Sequence, residues 1–422
     1  MDDPTSDDLT LNDPALKPPL KPPLNPTLNE VERRELVPRV LSVLVGRGAD
    51  FATAEDAVQE ALIRALARWD DHPPNDPTGW LVTVAWRAFL DIVRSDAARR
   101  DREVRFDVEP PAGAVPSADD TLRLYFLCAH PELTSSSAVA LTLRAVGGLT
   151  TRQIAQAYLV PEATMAQRIS RAKRVVSRAG VSQAGLRPSG PDRRDDHPGD
   201  VATVMRVLYL VFNEGYSGDV DLAAEAIRLT RQMATLVDDP EVQGLLALML
   251  LHESRRATRS TPDGDIILLE DQDRSRWDRA LIAEGVSLIE QSLASGRAGP
   301  YTLQAAISAV HADASTPGET NWTQIVALYD LLLEMVPSAV VELNRAVALA
   351  MRDGPAAGLA AIDAILERGD LTEYHLAHSA RAEFNRRLGD NAAAKASYEV
   401  ALSLVKQEPE RRFLASRVAE LA

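Results

Sequence analysis

The chain has 422 residues, of which 45% are hydrophobic, and it carries a net charge of −15 and a single cysteine, Cys128. This length predicts two to four domains. The acidic balance argues against a general nucleic-acid coat protein, and one cysteine excludes an intrachain disulfide framework. The N-terminus has no apolar signal segment and the longest apolar runs are too short for a bilayer, so we expect a cytoplasmic protein without membrane contact.

Residues 1–29 are rich in proline, as in KPPLKPPLNP at 17–26, and we expect a disordered tail there. A helical domain is predicted over 30–102. One of its helices is expected to begin at Thr53, with Asp56 at the spacing of a capping box. Helical periodicity predicts that this helix buries a stripe formed by Ala57, Ala61, Leu62, Ala65 and Leu66.

The next helix is predicted from Thr78 to about Arg94, after an acidic, proline-rich loop over 70–77. Its inward residues are expected to be Leu81, Val84, Ala85, Ala88 and Ile92. A linker rich in proline and charge is predicted over 103–116, and a second linker over 184–199. These linkers would separate three folded parts of the chain.

The segment at 149–174, LTTRQIAQAYLVPEATMAQRISRAKR, predicts a helix-turn-helix within a domain at 117–183. In the second helix an apolar side repeats at helical spacing and is expected to pack on the first helix through Met165, Ile169 and Ala172. The opposite side is polar and cationic. An apolar seam under a cationic face suits a helix that lies in the DNA major groove. The alternative is an ordinary helical hairpin with a solvated basic face.

Charge is distributed unevenly along the chain. Residues 150–180 contain six cations and one anion, whereas residues 200–422 contain 21 lysines and arginines against 33 acidic residues, a net charge of −12. Only the short basic segment is suited to phosphate. The acidic remainder is not expected to touch DNA, and one hypothesis is that it masks the basic helix.

The region 200–422 reads as consecutive helices with an internal repeat near its end. Arg345-Ala346 matches Arg381-Ala382 at an offset of 36 residues. A repeat of about 34 residues is typical of tetratricopeptide (TPR) helical hairpins. We therefore predict a degenerate TPR-like solenoid, which commonly presents a concave surface to a protein partner.

No catalytic constellation is recognisable, so we predict neither an enzyme nor a cofactor. His375 and His378 are three residues apart on a predicted helix, but a third metal ligand at useful spacing does not follow. Cys128 lies in an apolar run, which favours a buried small hydrophobic residue over a nucleophile.

Taken in series, the motifs of the first two domains resemble those of the extracytoplasmic-function (ECF) sigma factors of bacterial RNA polymerase. The segments that carry the resemblance are AEDAVQEA at 54–61, GWLVTVA at 79–85 with LDIVR at 90–94, and the helix-turn-helix. The later region resembles the TPR-like extension of one ECF subgroup, through VLYLVFNEGY at 207–216, GPYTLQAAI at 299–307 and LNRAVA at 343–348. The resemblance implies an all-α protein: sigma region 2, a linker, sigma region 4 and a C-terminal solenoid.

The resemblance also implies partners and site residues. The β and β′ subunits of core polymerase would dock on Asp56, Gln59 and Glu60. The alternative is structural: Asp56 caps its helix, and Glu60 pairs with Arg64. Promoter DNA near the −10 element would meet the helix after the acidic loop. The residues implied there are Trp86, Arg87, Arg94, Arg99 and Arg100. For Trp86, stacking on a base and packing in the core remain equally open.

The helix-turn-helix would read the −35 element. Base-edge candidates are Gln167, Arg168 and Arg171, because glutamine suits adenine and arginine suits guanine. The other residues implied at this site, mostly phosphate contacts, are Arg152, Thr164, Lys173 and Arg174. The chain departs from many family members at Trp86-Arg87 and Ala166-Gln167, so the resemblance leaves its base preference open.

The function implied is that of a sigma factor that directs core polymerase to promoters and is regulated through its extension. One alternative is a stand-alone helix-turn-helix regulator with a TPR-like sensor. A second is a scaffold that does not use its DNA module. The regulator leaves the acidic block at 54–61 unexplained.

Overall fold

The computed structural model describes residues 30–69, 74–100, 118–158, 160–178, 201–213, 221–405 and 407–421, with side chains described for all but 30–34, 96–100 and 118–121 of these. Within these ranges the chain is helical and contains no strand, apart from an isolated antiparallel bridge between Ser260 and Ile266. The all-α prediction is therefore confirmed. The predicted tail and the two predicted linkers fall outside the described residues.

The first domain consists of the helices α1 (Glu30–Gly46), α2 (Phe51–Leu66) and α3 (Pro77–Arg100). The predicted start of α2 at Thr53 is wrong by two residues, because the Asp50 side chain accepts a hydrogen bond from the Thr53 backbone and caps the helix. Asp56 therefore has no capping role. The predicted apolar stripe of α2 is buried except at Leu66, which is 50% exposed.

The second domain consists of α4 (Ala118–Cys128), α5 (Ser135–Ala145), α6 (Thr151–Ala157) and α7 (Glu162–Arg178). Thr150 and Gln153 form a capping box that begins α6. Met165, Ile169 and Ala172 of α7 are all buried, as the predicted seam requires. The helix-turn-helix geometry is thus confirmed.

The third region begins with six helices, which are α8 (Val201–Asn213), α9 (Leu222–Leu236), α10 (Pro240–Glu253), α11 (Arg279–Ala294), α12 (Pro300–Asp313) and α13 (Trp322–Met335). Of these, α8, α9, α11 and α12 pack around α10, whose residues from Gly244 to Leu251 are buried. Glu241 at the start of α10 accepts hydrogen bonds from the backbone of Gly299, Tyr301 and Thr302. It therefore fixes the N-terminus of α12, and a Cβ on Gly299 would collide with its carboxylate.

The last helices form two helical hairpins and a final helix: α14 (Ala339–Asp353), α15 (Pro355–Glu367), α16 (His375–Arg387), α17 (Asn391–Leu404) and α18 (Glu408–Glu420). Both helices of the second hairpin begin 36 residues after their counterparts, which is the predicted offset. The matched arginines also make matched ion pairs: Arg345 with Asp330 on α13, and Arg381 with Asp363 on α15. The TPR-like architecture is regular in this part of the extension.

A continuous apolar core runs from Leu36 to Leu250 and joins all three regions. Helix α1 packs against α4 and α5, while α8 packs against α4 and α5 from the extension. Buried Tyr125 on α4 donates a hydrogen bond to the Leu229 carbonyl on α9, at 3.0 Å. The extension is therefore packed into the core of the helix-turn-helix domain.

Candidate nucleic-acid interface

Helix α2 presents a mixed acidic and apolar face to solvent. Asp56 is 64% exposed and Glu60 is 46% exposed, and Glu60 pairs with Arg64 at 3.0 Å. Further along the same face, Ile63 is 62% exposed and Leu66 is 50% exposed. Exposed large aliphatic residues beside carboxylates are typical of a surface that a partner covers. Sequence reasoning missed the apolar half of this face, because Leu66 was assigned to the core.

Helix α7 presents its predicted polar face to solvent. Exposed positions on this face are Thr164, Gln167, Arg171 and Arg174, with Arg168 partly exposed and Arg152 exposed on α6. Buried residues of α7 lie on the opposite side. The exposed helix can therefore offer one glutamine and several guanidinium groups to a nucleic acid, and the described part of the acidic extension leaves this face exposed.

Lys173 differs from the other candidates on α7. Its ammonium group donates hydrogen bonds to Glu55 and, at 2.8 Å, to Asp56 Oδ1, and its side chain is only 14% exposed. Both acceptors belong to α2. The prediction that Lys173 contacts phosphate is therefore incorrect for this conformation, because the charge is already paired within the protein.

Glu55 is the centre of this contact and is 1% exposed. Its second cationic partner is Arg144 on α5, at 2.8 Å, which also donates to the Leu149 carbonyl. We refer to Glu55, Asp56, Arg144 and Lys173 as the Glu55 cluster. It joins the first domain to the second through ion pairs between residues about 90 and 118 positions apart.

The electrostatics of the Glu55 cluster follow from burial and charge. Burial alone would raise the pKa of Glu55, but the charges of Arg144 and Lys173 and their hydrogen bonds lower it overall. Burial would lower the pKa of Lys173, whereas Glu55 and Asp56 raise it overall. Glu55 and Lys173 are therefore both ionised at neutral pH, and their charges are paired within the protein.

Helix α3 carries the residues proposed to meet the −10 region. Arg87 is exposed and the Arg94 side chain is 60% exposed, which leaves both accessible. Trp86 is 4% exposed, and its ring lies 5.4 Å from that of Phe89. Base stacking by Trp86 is therefore excluded in this conformation, and the packing alternative describes it. The side chains of Arg99 and Arg100 lie outside the described residues.

The loop before α3 is described from residue 74 onward, so Asp70 and Asp71 lie outside the described part. Asp76 accepts a hydrogen bond from the Gly79 backbone at 2.9 Å and so binds the N-terminal turn of α3. Trp80 is partly buried and packs edge-on against buried Trp69 at 5.4 Å.

The two TPR-like hairpins form a groove together with α18. Its lining includes Leu343, Asn344, Leu376 and Phe413, and Arg387 bridges it to Glu270 at 3.5 Å. Hydrogen bonds from Arg386, Arg387 and Tyr398 outweigh burial and lower the pKa of Glu383 in this groove to about 2.

The remaining candidates have ordinary structural environments. His378 contacts the Thr372 carbonyl at 2.8 Å and His375 lies 3.1 Å from Glu410, and among the described residues no group of three side chains is placed to hold a metal. Cys128 is fully buried, as predicted, and burial raises the pKa of its thiol. Within the described part of the chain, no helix has the length and apolar character that crossing a membrane requires.

Comparison with known families assigns three parts of the chain. Residues 33–99 match Sigma-70 region 2, residues 123–175 match Sigma-70 region 4, and residues 200–293 match a family of unknown function, DUF6596. The first two matches coincide with α1–α3 and with α4–α7. The third covers α8–α11 and ends before the TPR-like hairpins.

One relative is similar over most of the chain, and two sigma factors are similar over less than half of it. An uncharacterized protein of Rhizobium meliloti (strain 1021) is 39% identical over 404 residues, which cover 91% of this chain and 94% of the relative. The ECF RNA polymerase sigma factor SigJ of Mycobacterium tuberculosis (strain ATCC 25618 / H37Rv) is 28% identical over 221 residues, or 47% of this chain and 68% of SigJ. A probable ECF RNA polymerase sigma factor, SigI of Mycobacterium tuberculosis (strain CDC 1551 / Oshkosh), is 28% identical over 41% of this chain and 62% of its own length.

The order of region 2, region 4 and a helical extension is that implied by the sequence motifs, and the two sigma regions fold as helical domains with an exposed recognition helix. The chain therefore belongs to the ECF sigma factors of the sigma-70 family, as a member with a C-terminal extension.

Proposed function

We propose that this sigma factor binds core RNA polymerase through the exposed face of α2 and directs it to promoters. The observation that carries the proposal is the mixed face formed by Asp56, Gln59, Glu60, Ile63 and Leu66, on which two large aliphatic side chains are exposed beside the polar ones. Carboxylates on this face would pair with cations on the β and β′ subunits and fix the orientation. The two aliphatic side chains would supply apolar contact area.

Helix α7 is proposed to read the −35 element from the major groove. Its exposed face carries Gln167, Arg168 and Arg171, which are suited to base edges, beside Arg174, which is suited to phosphate. Thr164 lies on the same face, and Arg152 on α6 is placed outside it. Replacing a base-contacting arginine should relax specificity at one position, whereas replacing a phosphate contact should weaken binding to every sequence.

Helix α3 is proposed to meet DNA near the −10 element through Arg87 and Arg94, which are exposed on it. The implied roles of Arg99 and Arg100 stay part of this proposal. Trp86 is left out because its ring is buried.

The extension is proposed to regulate transcription by supporting region 4 mechanically. Its helices α8 and α9 pack on α4, and Glu225 of α9 lies against Gly147, where a Cβ would come within 3.1 Å of its carboxylate. A conformational change in the extension, or a protein partner bound at the TPR-like groove, could therefore alter the conformation of region 4 through these packed contacts. Removing the extension entirely would expose the core of region 4, so point substitutions are the better probe.

The test of polymerase docking is affinity for purified core RNA polymerase. Replacement of Ile63 and Leu66 by aspartate should lower this affinity at least about tenfold, because two buried aliphatic contacts are lost. Leu293→Asp is the matched control, since Leu293 is 49% exposed on α11 and outside the proposed face. Substitutions at Asp56 are less suitable, because they also disturb its contact with Lys173.

Unchanged affinity in the Ile63→Asp/Leu66→Asp variant would contradict the proposed docking face. Failure of the unmodified protein to bind core polymerase, together with tight sequence-specific DNA binding by the free protein, would favour a stand-alone regulator.

A further inference from the structure

The loop between α10 and α11 contains a strongly acidic segment, residues 260–273, which we call the strap. Its sequence, STPDGDIILLEDQD, has five acidic residues, no lysine or arginine, and four consecutive aliphatic residues at 266–269. The base of the loop is held by buried groups: Trp277 is 2% exposed, and its indole N–H donates a hydrogen bond to the Thr258 hydroxyl at 3.0 Å. The loop is therefore firmly attached to the extension at its base.

The middle of the strap reaches the TPR-like groove and is held there by two ion pairs. Asp265 pairs with Arg412 on α18 at 2.8 Å, and Glu270 pairs with Arg387 on α16 at 3.5 Å. All four side chains are between 31% and 53% exposed. Solvent screens ion pairs of this kind, so each contributes little to stability. The strap is thus held weakly at the groove and strongly at its base.

The aliphatic residues of the strap face two ways. Leu269 packs on the apolar core of α10, α11 and α12, whereas Leu268 lines the groove. The groove keeps a cavity of about 300 Å³ beside Leu376, which is 44% exposed, and Phe413. A volume of this size is at the lower end of the range for ligand sites. The strap therefore fills the groove only in part and leaves apolar surface for another chain.

The charge of the groove is complementary to that of the strap. The three helices that line it, α14, α16 and α18, together contain eight arginines and six acidic residues, although the extension as a whole has a net charge of −12. The strap has a net charge of −5. A cationic groove within an acidic extension attracts acidic segments and repels basic ones.

We infer that the TPR-like groove binds an acidic segment with aliphatic residues on a partner protein, and that the strap is a resident stand-in which this segment displaces. Carboxylates of the partner would take over Arg387 and Arg412 from the strap. Its aliphatic side chains would fill the cavity beside Leu376 and Phe413. The inference deepens the part that the proposed function gives to this groove, and only its effect on transcription rests on that function.

The test is binding of a fluorescent synthetic peptide, TPDGDIILLEDQD, to the full chain in the absence of polymerase and DNA, followed by anisotropy. Asp265→Asn/Glu270→Gln should bind the peptide at least about tenfold more tightly than the unmodified protein, because the tethered strap no longer competes for the groove. Asp263→Asn/Asp271→Asn is the matched control. It makes the same charge change at exposed strap residues that form no ion pair in the described part of the chain, and it should bind like the unmodified protein.

Substitutions in the groove locate the bound peptide. In the Asp265→Asn/Glu270→Gln protein, Leu376→Asp should lower the peptide affinity at least about tenfold. Leu388→Asp should leave it unchanged, because Leu388 is 47% exposed just after α16 but does not line the groove. A peptide with asparagine and glutamine in place of its acidic residues should bind at least about tenfold more weakly than the acidic peptide.

Equal peptide affinity of the Asp265→Asn/Glu270→Gln and unmodified proteins would overturn the inference. So would equally tight binding of the neutral peptide, or equal losses from the two leucine substitutions. Residues 7–13, DDLTLND, share the acidic and aliphatic pattern. If their deletion raised the peptide affinity as much as release of the strap, the occupant would be the chain itself and not a partner.

These outcomes are separate from the test of polymerase docking. Peptide binding is measured without polymerase, and every substitution in it lies in the extension. Loss of the proposed docking face on α2 would therefore leave the peptide result unchanged, and absence of peptide binding would leave the docking result unchanged.

Discussion

Two glutamates, Glu55 and Glu241, each join helices that are distant in sequence, but their partners differ in kind. Glu55 on α2 is bonded to the cationic side chains of Arg144 and Lys173 in region 4. Glu241 on α10 is bonded to three backbone amides and the Thr302 hydroxyl at the start of α12. Side-chain cations can find new partners in water or on another protein, whereas amides at a buried helix N-terminus cannot.

The bonds of Glu55 can be exchanged for bonds to other partners, whereas those of Glu241 cannot. Around Glu241, the helices are also in close contact: a Cβ on Gly244 would lie 2.3 Å from the Thr302 hydroxyl, and Ser292 and Thr302 share a buried hydrogen bond. Around Glu55, the contact between α2 and α7 includes buried ion pairs. The junction of regions 2 and 4 thus combines exchangeable ion pairs with the apolar packing of α1 on α4 and α5, whereas the junction at Glu241 combines close packing with bonds to backbone amides.

The largest effect is expected for Glu241→Ala, which leaves the N-terminus of α12 without its acceptor. Loss of these charge-assisted hydrogen bonds should lower the free energy of unfolding by about 3 kcal/mol. Urea denaturation measures it, with Glu290→Ala on the exposed side of α11 as the control. Equal stability of the two variants would remove the distinction drawn between the two glutamates.

A smaller loss of stability is expected for Arg144→Met, in the Glu55 cluster between regions 2 and 4. The side chain is 13% exposed, and its removal leaves Glu55 with Lys173 alone. The free energy of unfolding should fall by about 2 kcal/mol, less than for a buried charge with no remaining partner. Urea denaturation of Arg144→Met and Lys173→Met should rank Arg144→Met as the less stable variant, because Arg144 also donates to the Leu149 carbonyl. The reverse ranking would mean that Lys173 is the principal partner of Glu55.

Acid should weaken the extension before it weakens the Glu55 cluster. Burial, with nearby Arg255 and Arg259, lowers the pKa of His252 to about 3, and burial with Arg255 and Arg274 lowers that of His311 to about 4. The unfolded chain therefore binds protons first as the pH falls below about 6.5, and the free energy of unfolding declines from there toward pH 3. Glu55 has a lowered pKa, so its contribution is present above its ordinary value of 4.5 and is lost only as the pH falls through the lower folded value.

This order can be checked by urea denaturation at pH 7, 5.5 and 4.5. Energy transfer between fluorophores on Arg68→Cys, just after α2, and Ser170→Cys on α7 would report whether the Glu55 cluster is intact. His252→Gln should flatten the decline in stability. Opening of the cluster while the stability of the whole chain is unchanged would contradict the assigned order.

The smallest effect is expected at an exposed ion pair. Arg231 and Glu284 join α9 to α11 at 2.8 Å, with side chains 48% and 41% exposed. Arg231→Met should change the free energy of unfolding by less than about 0.5 kcal/mol, since solvent screens such pairs. A loss as large as that of Arg144→Met would show that burial is not what distinguishes the Glu55 cluster.

The sequence predicted those structural features that depend only on the spacing of nearby residues. The apolar seam of α7 and the 36-residue offset of the hairpins follow from helical periodicity, and both are confirmed. Helical periodicity could not predict the burial of Glu55 and Lys173, because a glutamate within AEDAVQEA and a lysine on a basic helix are both expected to be exposed to solvent. Their burial arises from a contact across about 118 residues, which no local pattern encodes. The prediction for Leu66 was wrong in the opposite direction, since helical spacing cannot show that the end of α2 is left uncovered by the described part of the chain.

The hydrogen bond from Tyr125 to Leu229 has a consequence for synthesis on the ribosome. In region 4, α4 and α5 pack on α8, and α4 also packs on α9. Region 4 therefore cannot complete its core until the chain has been translated to about residue 250. At 5–20 residues per second, the stretch beyond α7 takes roughly 4–14 s to emerge. We expect region 2 to fold during this interval while region 4 waits, so that a chain arrested before the extension carries no finished recognition helix.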